Sequence, residues 1–266
     1  MAIFKKGDPM PKEEKEKRTL SPYCTAIIAA GGSSKRMGED KLFIELGSIP
    51  VIARTLLVFQ SSDVIDEIVI VTREESIVKI ADICAEYNIS KATKIVKGGA
   101  ERMDSVLAGI SEISRKARLV AIHDGARPLI TGDIIKETAL KASFYSAAAP
   151  YIPIKDTVKK IENGFTAGAV DRDALASMQT PQIFKPDLIR TALLKAKADG
   201  VRLTDDCSAA EYIGVNVFLT KGSEENIKVT TPADVVHAEM ILKRRSERGG
   251  SVTVTTFTGL WRIESL

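Results

Sequence analysis

Short apolar runs alternate with longer amphipathic segments along the middle of the chain. Three runs rich in Val, Ile and Ala, at 25–30, 67–72 and 119–123, are bounded by charged or turn residues, as expected of parallel strands that are covered on both faces. The segments that follow place apolar residues at three- and four-residue intervals, which is typical of helices packed on a sheet. These helical segments are 51–60, 74–88, 102–115 and 133–144. The alternation predicts an open α/β sheet with helices on both faces.

A second pattern interrupts this alternation. Residues 157–161 and 165–170 are strand-like, and Asn163-Gly164 separates them. Asn-Gly between two strands favours a tight two-residue turn, because both residues tolerate positive φ. We therefore expect a β-hairpin that projects from the sheet as an arm, at about 151–172.

The two ends differ from the rest of the chain in composition. The first twenty residues are half charged and contain two prolines, so they can bury too little apolar surface to offset the entropy of ordering. We expect a flexible leader over 1–22, a folded body over 23–243 and a tail over 244–266.

Charge is also unevenly divided. Six Lys or Arg against four Asp or Glu give residues 1–20 a charge of +2, and five against two give residues 243–266 a charge of +3. The net charge of +3 therefore leaves −2 on the segment between them. A body without a basic surplus is not expected to bind nucleic acid.

The cysteine pattern and the hydropathy of the sequence indicate the cellular compartment in which the protein is expected. Cys24, Cys84 and Cys207 are odd in number and form no C-x-x-C pair, so neither a disulfide framework nor a structural zinc site is indicated. The sequence contains no apolar run long enough to span a membrane, and its first residues lack the apolar segment of a signal peptide. We expect a cytoplasmic protein with reduced thiols and no membrane partner.

The segment after the first predicted strand is rich in small and basic residues. It reads AAGGSSKRMGEDK over 29–41. Small residues let the backbone approach a phosphate chain closely, and Lys35, Arg36 and Lys41 supply positive charge to the same anion. Neither a Walker A loop nor G-x-G-x-x-G occurs in it. We interpret it as a cradle for a di- or triphosphate; the alternative is a Gly-Ser turn before a basic helix.

The third apolar run ends in HDGARP, at 123–128. A carboxylate at the end of a buried strand is well placed to hold Mg²⁺ through a bound nucleotide, so Asp124 is the candidate metal ligand. The alternative is an aspartate that caps a helix or pairs with Arg127. His123 is interpreted as a structural hydrogen-bonding group rather than a general base.

A Gly-Gly turn leads into the predicted helix at GGAERMDSVLAGI, residues 98–110. A helix N-terminus that carries a hydroxyl can bind a base or a ribose hydroxyl. By itself this segment does not identify a ligand.

Six blocks, in this order, resemble the 2-C-methyl-D-erythritol 4-phosphate cytidylyltransferase family over about 23–243. They are AAGGSSKRM, GGAERMDSVLAGI, HDGARP, KDTVKK, DRDALASMQTPQIF and ENIKVTTPAD. The resemblance implies an open Rossmann-like nucleotidyltransferase sheet. It also implies that the phosphate of methylerythritol phosphate attacks the α-phosphorus of CTP in non-mevalonate isoprenoid synthesis. Pyrophosphate leaves, 4-diphosphocytidyl-2-C-methyl-D-erythritol forms, and Mg²⁺ is the cofactor.

The resemblance also assigns roles to individual residues. Arg36 and Lys41 would stabilise the charge that develops on the α-phosphate and the pyrophosphate, Asp124 would hold Mg²⁺, and Glu225 is a weaker candidate for a second ligand. The cytidine would lie on Ala30, Gly31, Gly32, Gly99, Ser105 and Gly125. The phosphate of the acceptor would lie against Arg172 and Lys228, with Thr157 and Thr180 as hydroxyl donors.

The same resemblance implies a homodimer in which the arm, with Thr157 on it, reaches over the partner's site. A long hairpin with unpaired strand edges independently favours association. Two positions depart from the family pattern: Ser34 stands where glycine is frequent, and Ala100 stands where an acidic residue is frequent. Both departures bear on the contacts with the nucleotide.

Four other functions fit parts of the pattern. A cytidylyltransferase for another polyol phosphate, such as ribitol 5-phosphate, would use the same fold. A molybdopterin-type nucleotidyltransferase shares the first loop, at 30–38, but not the later blocks. A silent nucleotide-binding protein would not need Arg36, Lys41, Asp124 and Lys228 together. Nucleic-acid binding through the basic ends would lack a platform of aromatic residues for stacking.

Overall fold

The computed structural model describes residues 22–32 and 40–247. The strands in this part of the chain are β1 Cys24–Ala30, β2 Glu45–Leu46, β3 Ile49–Pro50, β4 Glu67–Thr72, β5 Ala92–Lys97, β6 Leu119–Asp124, β7 Ala147–Pro153, β8 Lys159–Glu162, β9 Phe165–Ala169, β10 Ala176–Met178, β11 Gln182–Phe184 and β12 Phe218–Lys221. The α-helices are α1 Val51–Ser61, α2 Ile77–Glu86, α3 Arg102–Glu112, α4 Gly132–Tyr145, α5 Pro186–Ala198, α6 Asp206–Tyr212 and α7 Pro232–Glu247.

One mostly parallel sheet of eight strands forms the centre of the fold, in the order β10-β7-β11-β6-β1-β4-β5, with β12 also paired to β7. β5, β4, β1 and β6 run parallel to one another. β11 lies antiparallel between β6 and β7. The prediction of an α/β sheet with parallel central strands is confirmed. β11 was not predicted, because three residues are too few to show a periodicity.

Helices cover both faces of the sheet. Residues of α1, α2 and α4 share one apolar cluster with Ala26 and Ile28 of β1, and residues of α3, α5 and α6 share a second cluster with Ile27. This division explains why the central strands are apolar at every position rather than at alternate positions. A third cluster lies where α7 packs near Leu46 and Val229. Within residues 22–32 and 40–247, no helix is both long and apolar enough to cross a membrane.

The predicted arm is a two-stranded antiparallel sheet formed by β8 and β9. Its turn residues, Asn163 and Gly164, have φ values of 49° and 84°, which is the backbone that a type I′ turn requires. Ile161 and Phe165 on the arm are 76% and 79% exposed, so the hairpin presents apolar side chains to solvent. The prediction of a projecting hairpin is confirmed.

The expected leader and tail fall mostly outside the described residues. At the C-terminal side, α7 continues to Glu247, so the first residues after the expected boundary at 243 are helical.

Candidate active site

The carboxyl ends of β1 and β6 meet at one edge of the sheet, where a cavity of about 300 Å³ opens. Ala29 lies opposite Asp124 in the parallel register, and the backbone N–H of Gly125 donates a hydrogen bond of 2.9 Å to the carbonyl of Ala29. Ligands of open α/β sheets bind at such an edge. The cavity is lined by Ala29, Ala30, Gly31, Gly32, Lys41, Leu42, Gly99, Ala100, Glu101, Arg102, Ser105, Asp124, Ala126 and Lys228.

The turn between β5 and α3 forms one wall of this cavity. The hydroxyl of Ser105 accepts from the N–H of Gly99 at 3.2 Å and donates to the carbonyl of Glu101 at 3.1 Å. Glu101 is the N-cap of α3 and forms a reciprocal capping box with Asp104. These bonds hold the small-residue turn against the helix N-terminus, which favours an anion or a polar ligand there.

Asp124 lies at the centre of a cluster of charges. Its carboxylate is 2.9 Å from Nζ of Lys228, 3.5 Å from Nε of Arg127 and 3.7 Å from Nη2 of Arg102. Burial raises the pKa of this carboxyl, but attraction to Lys228, Arg102 and Arg127 more than offsets it, so the net pKa is lowered. Asp124 is therefore ionised, and it holds three cations at the edge of the cavity.

A second carboxylate lies behind the first. Asp206, at the start of α6, is fully buried and lies 2.7 Å from Nη1 of Arg102. Burial raises the pKa of Asp206, and the charge of Arg102 offsets part of that rise. Arg102 thus bridges two carboxylates across the wall of the cavity, which fixes the direction of its guanidinium group.

The charges at this edge do not balance. Among the described residues that line the cavity, three cations, Lys41, Arg102 and Lys228, lie beside two carboxylates, Glu101 and Asp124, which leaves a surplus of one positive charge. A surplus of positive charge in a partly enclosed cavity favours binding of a polyanion.

The donor set bears on the expected metal ligand. No group of three or more His, Cys, Asp or Glu that could hold a metal occurs among the described residues. Among the described residues that line the cavity, Asp124 is the carboxylate that contacts several cations, and those cations already share its oxygens. This arrangement suits a divalent ion held mainly by the phosphates of a bound nucleotide, as is usual for Mg²⁺.

His123 and Thr180 lie beneath the floor of the site. The Nδ1 of His123 is 3.0 Å from Oγ1 of Thr180, and that oxygen accepts from the N–H of Asp124 at 3.2 Å. The Nε2 of His123 lies 3.4 Å from the carbonyl of Arg127. Burial lowers the pKa of His123 to about 3. The ring is therefore neutral at physiological pH, which agrees with the structural interpretation of this histidine.

Two predicted acceptor ligands lie away from the cavity. Thr157 is exposed between β7 and β8, and Arg172 donates from Nη1 to the carbonyl of Lys155 at 2.9 Å near the base of the arm. Neither lines the cavity that contains Asp124. Of the four predicted acceptor ligands, the structure places Lys228 in the cavity and Thr180 directly below Asp124.

The other predicted residues are distributed as follows. Lys41 lines the cavity with five of the six predicted cytidine ligands, and the sixth, Gly125, lies between two lining residues. Arg36 lies outside the described residues, as does Ser34. Glu225 pairs with Arg244 and with Arg245, the latter at 2.8 Å, which ties it to α7 rather than to the cavity.

Sequence reasoning missed Arg102 and Asp206. Only the position of Arg102 in the first turn of a predicted helix hinted at its direction, and Asp206 follows more than a hundred residues later. The two also line a neighbouring cavity of about 760 Å³, which shares Glu101 and Arg102 with the first. Its other wall includes Arg202 and Asp205.

Comparison with known protein families matches residues 24–244 to the family described as IspD, 2-C-methyl-D-erythritol 4-phosphate cytidylyltransferase. A relative of that name from Halalkalibacterium halodurans is 42% identical over 226 residues, covering 84% of this chain and 99% of the relative. Another, from Clostridium botulinum, is 41% identical over 223 residues, covering 83% and 97%.

Solved structures agree with this result. A 4-diphosphocytidyl-2C-methyl-D-erythritol synthase from Anaerococcus prevotii superposes with a TM-score of 0.76 at 31% identity, over 84% of this chain and 97% of that one. The 2-C-methyl-D-erythritol 4-phosphate cytidylyltransferase from Thermus thermophilus gives a TM-score of 0.69 at 26% identity, over 83% and 99%. Sequence match, sheet topology and the cationic cavity thus lead to one result: the chain belongs to the 2-C-methyl-D-erythritol 4-phosphate cytidylyltransferase family.

Proposed function

We propose that this chain transfers the cytidylyl group of CTP to 2-C-methyl-D-erythritol 4-phosphate. Membership of the family over nearly all of the described body carries this proposal. A cavity with surplus positive charge at the carboxyl edge of the sheet supports it, because both substrates are phosphate anions. The products are 4-diphosphocytidyl-2-C-methyl-D-erythritol and pyrophosphate, and the step belongs to non-mevalonate isoprenoid synthesis.

The cytidine half of CTP is assigned to the small-residue side of the cavity. Ala30, Gly31, Gly32, Gly99 and Ser105 line it, and Gly125 supports it from below. Recognition through backbone groups and a short hydroxyl suits a pyrimidine in a narrow space, since larger side chains would occupy the volume that the base needs.

Transfer requires one bond to form and one to break at the α-phosphorus. A phosphate oxygen of the acceptor attacks that phosphorus, and the oxygen that bridges to the β-phosphate leaves with pyrophosphate. Phosphoryl transfer depends mainly on positioning and on neutralisation of charge. Arg36 and Lys41 are proposed to neutralise the α-phosphate and the leaving group, while Lys228, held by Asp124, faces the attacking phosphate.

Mg²⁺ is proposed as the cofactor. When bound to CTP it would neutralise phosphate charge and fix the phosphate chain, and Asp124 would be its protein ligand. The contacts of Asp124 with three cations mean that this carboxylate must share its oxygens between those cations and the ion.

We further propose a homodimer formed through the arm. Thr157 and Arg172 do not line the cavity of their own chain, which supports their delivery to the acceptor by a second chain. The exposed Ile161 and Phe165 supply apolar surface for such contact. A cytoplasmic location is proposed as well, and the three free cysteines suit its reducing conditions.

Pyrophosphate release tests the function. The purified chain is incubated with Mg²⁺ and CTP, with and without methylerythritol phosphate, beside ribitol 5-phosphate and the other three nucleoside triphosphates. We expect release that depends on methylerythritol phosphate and prefers CTP. Release with ribitol 5-phosphate alone would reassign the acceptor, and CTP binding without release under any condition would indicate a silent nucleotide-binding protein.

A further inference from the structure

The segment that carries Lys228 has no regular secondary structure. Residues 222–231 connect β12 to α7 through turns and irregular backbone, so neither a strand ladder nor a helix fixes Lys228 in place. Its backbone is anchored after the lysine by Val229, whose N–H donates to the carbonyl of Ala126 at 2.8 Å. Before the lysine, the anchor is a side chain, Asn226.

Asn226 is fully buried and joins this segment to the residues that precede β11. Its Nδ2 donates to the carbonyl of Thr180 at 3.1 Å and to Oε1 of Gln179 at 3.3 Å. Gln179 is also buried and binds the same segment through Ser223. Its Nε2 donates to the carbonyl of Ser223 at 2.7 Å, and its Oε1 accepts from the N–H of Ser223 at 3.2 Å. Two amide side chains therefore lock the segments together.

The orientation of the Asn226 amide follows from its partners. Both neighbours of Nδ2 are acceptors, so a reversed amide would place oxygen against oxygen. The Oδ1 atom is buried and has no hydrogen-bond partner among the described residues. An apolar residue of equal size would avoid that unpaired oxygen, so the two N–H donations are what the amide contributes.

The main chain of Asn226 extends the linkage to the charge cluster. Its carbonyl accepts from Nη1 of Arg127 at 2.7 Å, and Lys228 follows two residues later. Arg127 and Lys228 both pair with Asp124. Asn226 thus contacts Arg127 and the backbone of Thr180 directly, and it holds the backbone two residues before Lys228.

We propose that Asn226 is a positioning residue for the acceptor half of the site: its amide fixes Lys228 and Arg127 relative to Thr180. This inference rests on the proposed function, because it assigns Lys228 and Thr180 to the acceptor's phosphate. The cytidine side of the cavity is assigned to residues at the end of β1, to the turn before α3 and to Gly125, and none of the hydrogen bonds of Asn226 reaches these residues. Loss of the amide should therefore affect the acceptor more than CTP.

Asn226→Leu tests this, because leucine keeps the volume and removes both donors. Steady-state kinetics with methylerythritol phosphate give kcat and KM, equilibrium dialysis gives the Kd of CTP, and thermal unfolding monitors the fold. We expect kcat/KM for the acceptor to fall about tenfold or more, chiefly through KM, with the Kd of CTP within about threefold of wild type. A residue that only stabilises the fold would lower the unfolding midpoint and leave the KM of the folded enzyme unchanged.

Gln179→Leu breaks the same linkage from the opposite segment, and it serves if Asn226→Leu fails to fold. It should raise the acceptor KM in the same direction, and the double variant should lose less than the product of the two single losses, because one bond is shared. Wild-type kinetics for the acceptor in whichever folded variant is obtained, or equal loss for both substrates, would overturn the inference while the proposed function stands. A wild-type chain without acceptor-dependent release would overturn both.

Discussion

Replacing His123 with glutamine removes a fully buried imidazole that supports Asp124 from below. Glutamine has a polar group of similar reach, so it can keep some of the hydrogen bonds that the His123 ring forms with Thr180 and Arg127. Glutamine does not titrate, so the free energy of unfolding of the variant should depend on pH differently from that of the wild type.

The direction in which stability changes with pH depends on whether the folded or the unfolded chain binds the proton. Burial lowers the pKa of His123 from the ordinary 6.5 to about 3 in the folded chain. Between these values the unfolded chain binds a proton on this ring and the folded chain does not, so stability rises with pH across the window and is lost as pH falls. Each pH unit below 6.5 costs about 1.4 kcal/mol, so between about pH 7.5 and about pH 5 this residue removes about 2 kcal/mol.

Urea unfolding of the wild type and His123→Gln at both pH values measures this contribution. The difference between the free energies of unfolding of the wild type and the variant should fall by about 2 kcal/mol at the lower pH, because the contributions of other titrating groups cancel in this difference. His237→Gln, at an exposed position on α7, controls for the loss of a histidine at the surface. A wild-type advantage that stays constant across the range would show that the folded protein protonates His123, which would refute a neutral buried ring.

Three further predictions concern the site and the arm. Lys228→Ala should lower kcat/KM by about 10²- to 10³-fold, because the variant loses the cation that faces the attacking phosphate, with little change in the unfolding midpoint; a loss smaller than about threefold would exclude Lys228 from the reaction. Gly31→Ala should raise the KM for CTP without unfolding the chain, because its Cβ would enter open cavity space. Gly99→Ala should also destabilise the fold, because its Cβ would lie 2.2 Å from Cβ of Asp104. Enzyme kinetics and thermal unfolding of both variants separate the two effects, and an equal fall of the unfolding midpoint in both would contradict the comparison. Ile161→Glu with Phe165→Glu should convert a dimer into monomers in sedimentation velocity and lower activity, and an unchanged sedimentation coefficient would exclude this arm surface from association.

The fold was largely predictable because its signals are local. The central strands follow from short continuous apolar runs, the first four helices follow from apolar residues at three- and four-residue intervals, and the hairpin follows from Asn163-Gly164, whose backbone the structure bears out. The antiparallel β11 was not predictable, because its place beside β6 depends on the return of the chain after the arm rather than on its three residues.

Without the family resemblance, the site was predictable only where candidate residues follow the end of a strand. Asp124 stands out because it terminates a buried run, and the small residues after β1 stand out by composition. The pairing of Arg102 with Asp206, and the bridge from Asn226 to Thr180, join segments that are distant in sequence. Such pairs leave no periodic trace, since burial of a charge or an amide is decided by tertiary packing rather than by its neighbours in the chain.

Transfer of a labelled α-phosphate follows the cytidylyl group itself from donor to acceptor. The chain is incubated with Mg²⁺, methylerythritol phosphate and CTP labelled at the α-phosphorus, and the products are separated by anion exchange. We expect that the label leaves CTP and appears in a diphosphate that also contains the acceptor, in amounts equal to the pyrophosphate released. Label that remains in CTP, or appears only as CMP, would contradict cytidylyl transfer by this chain.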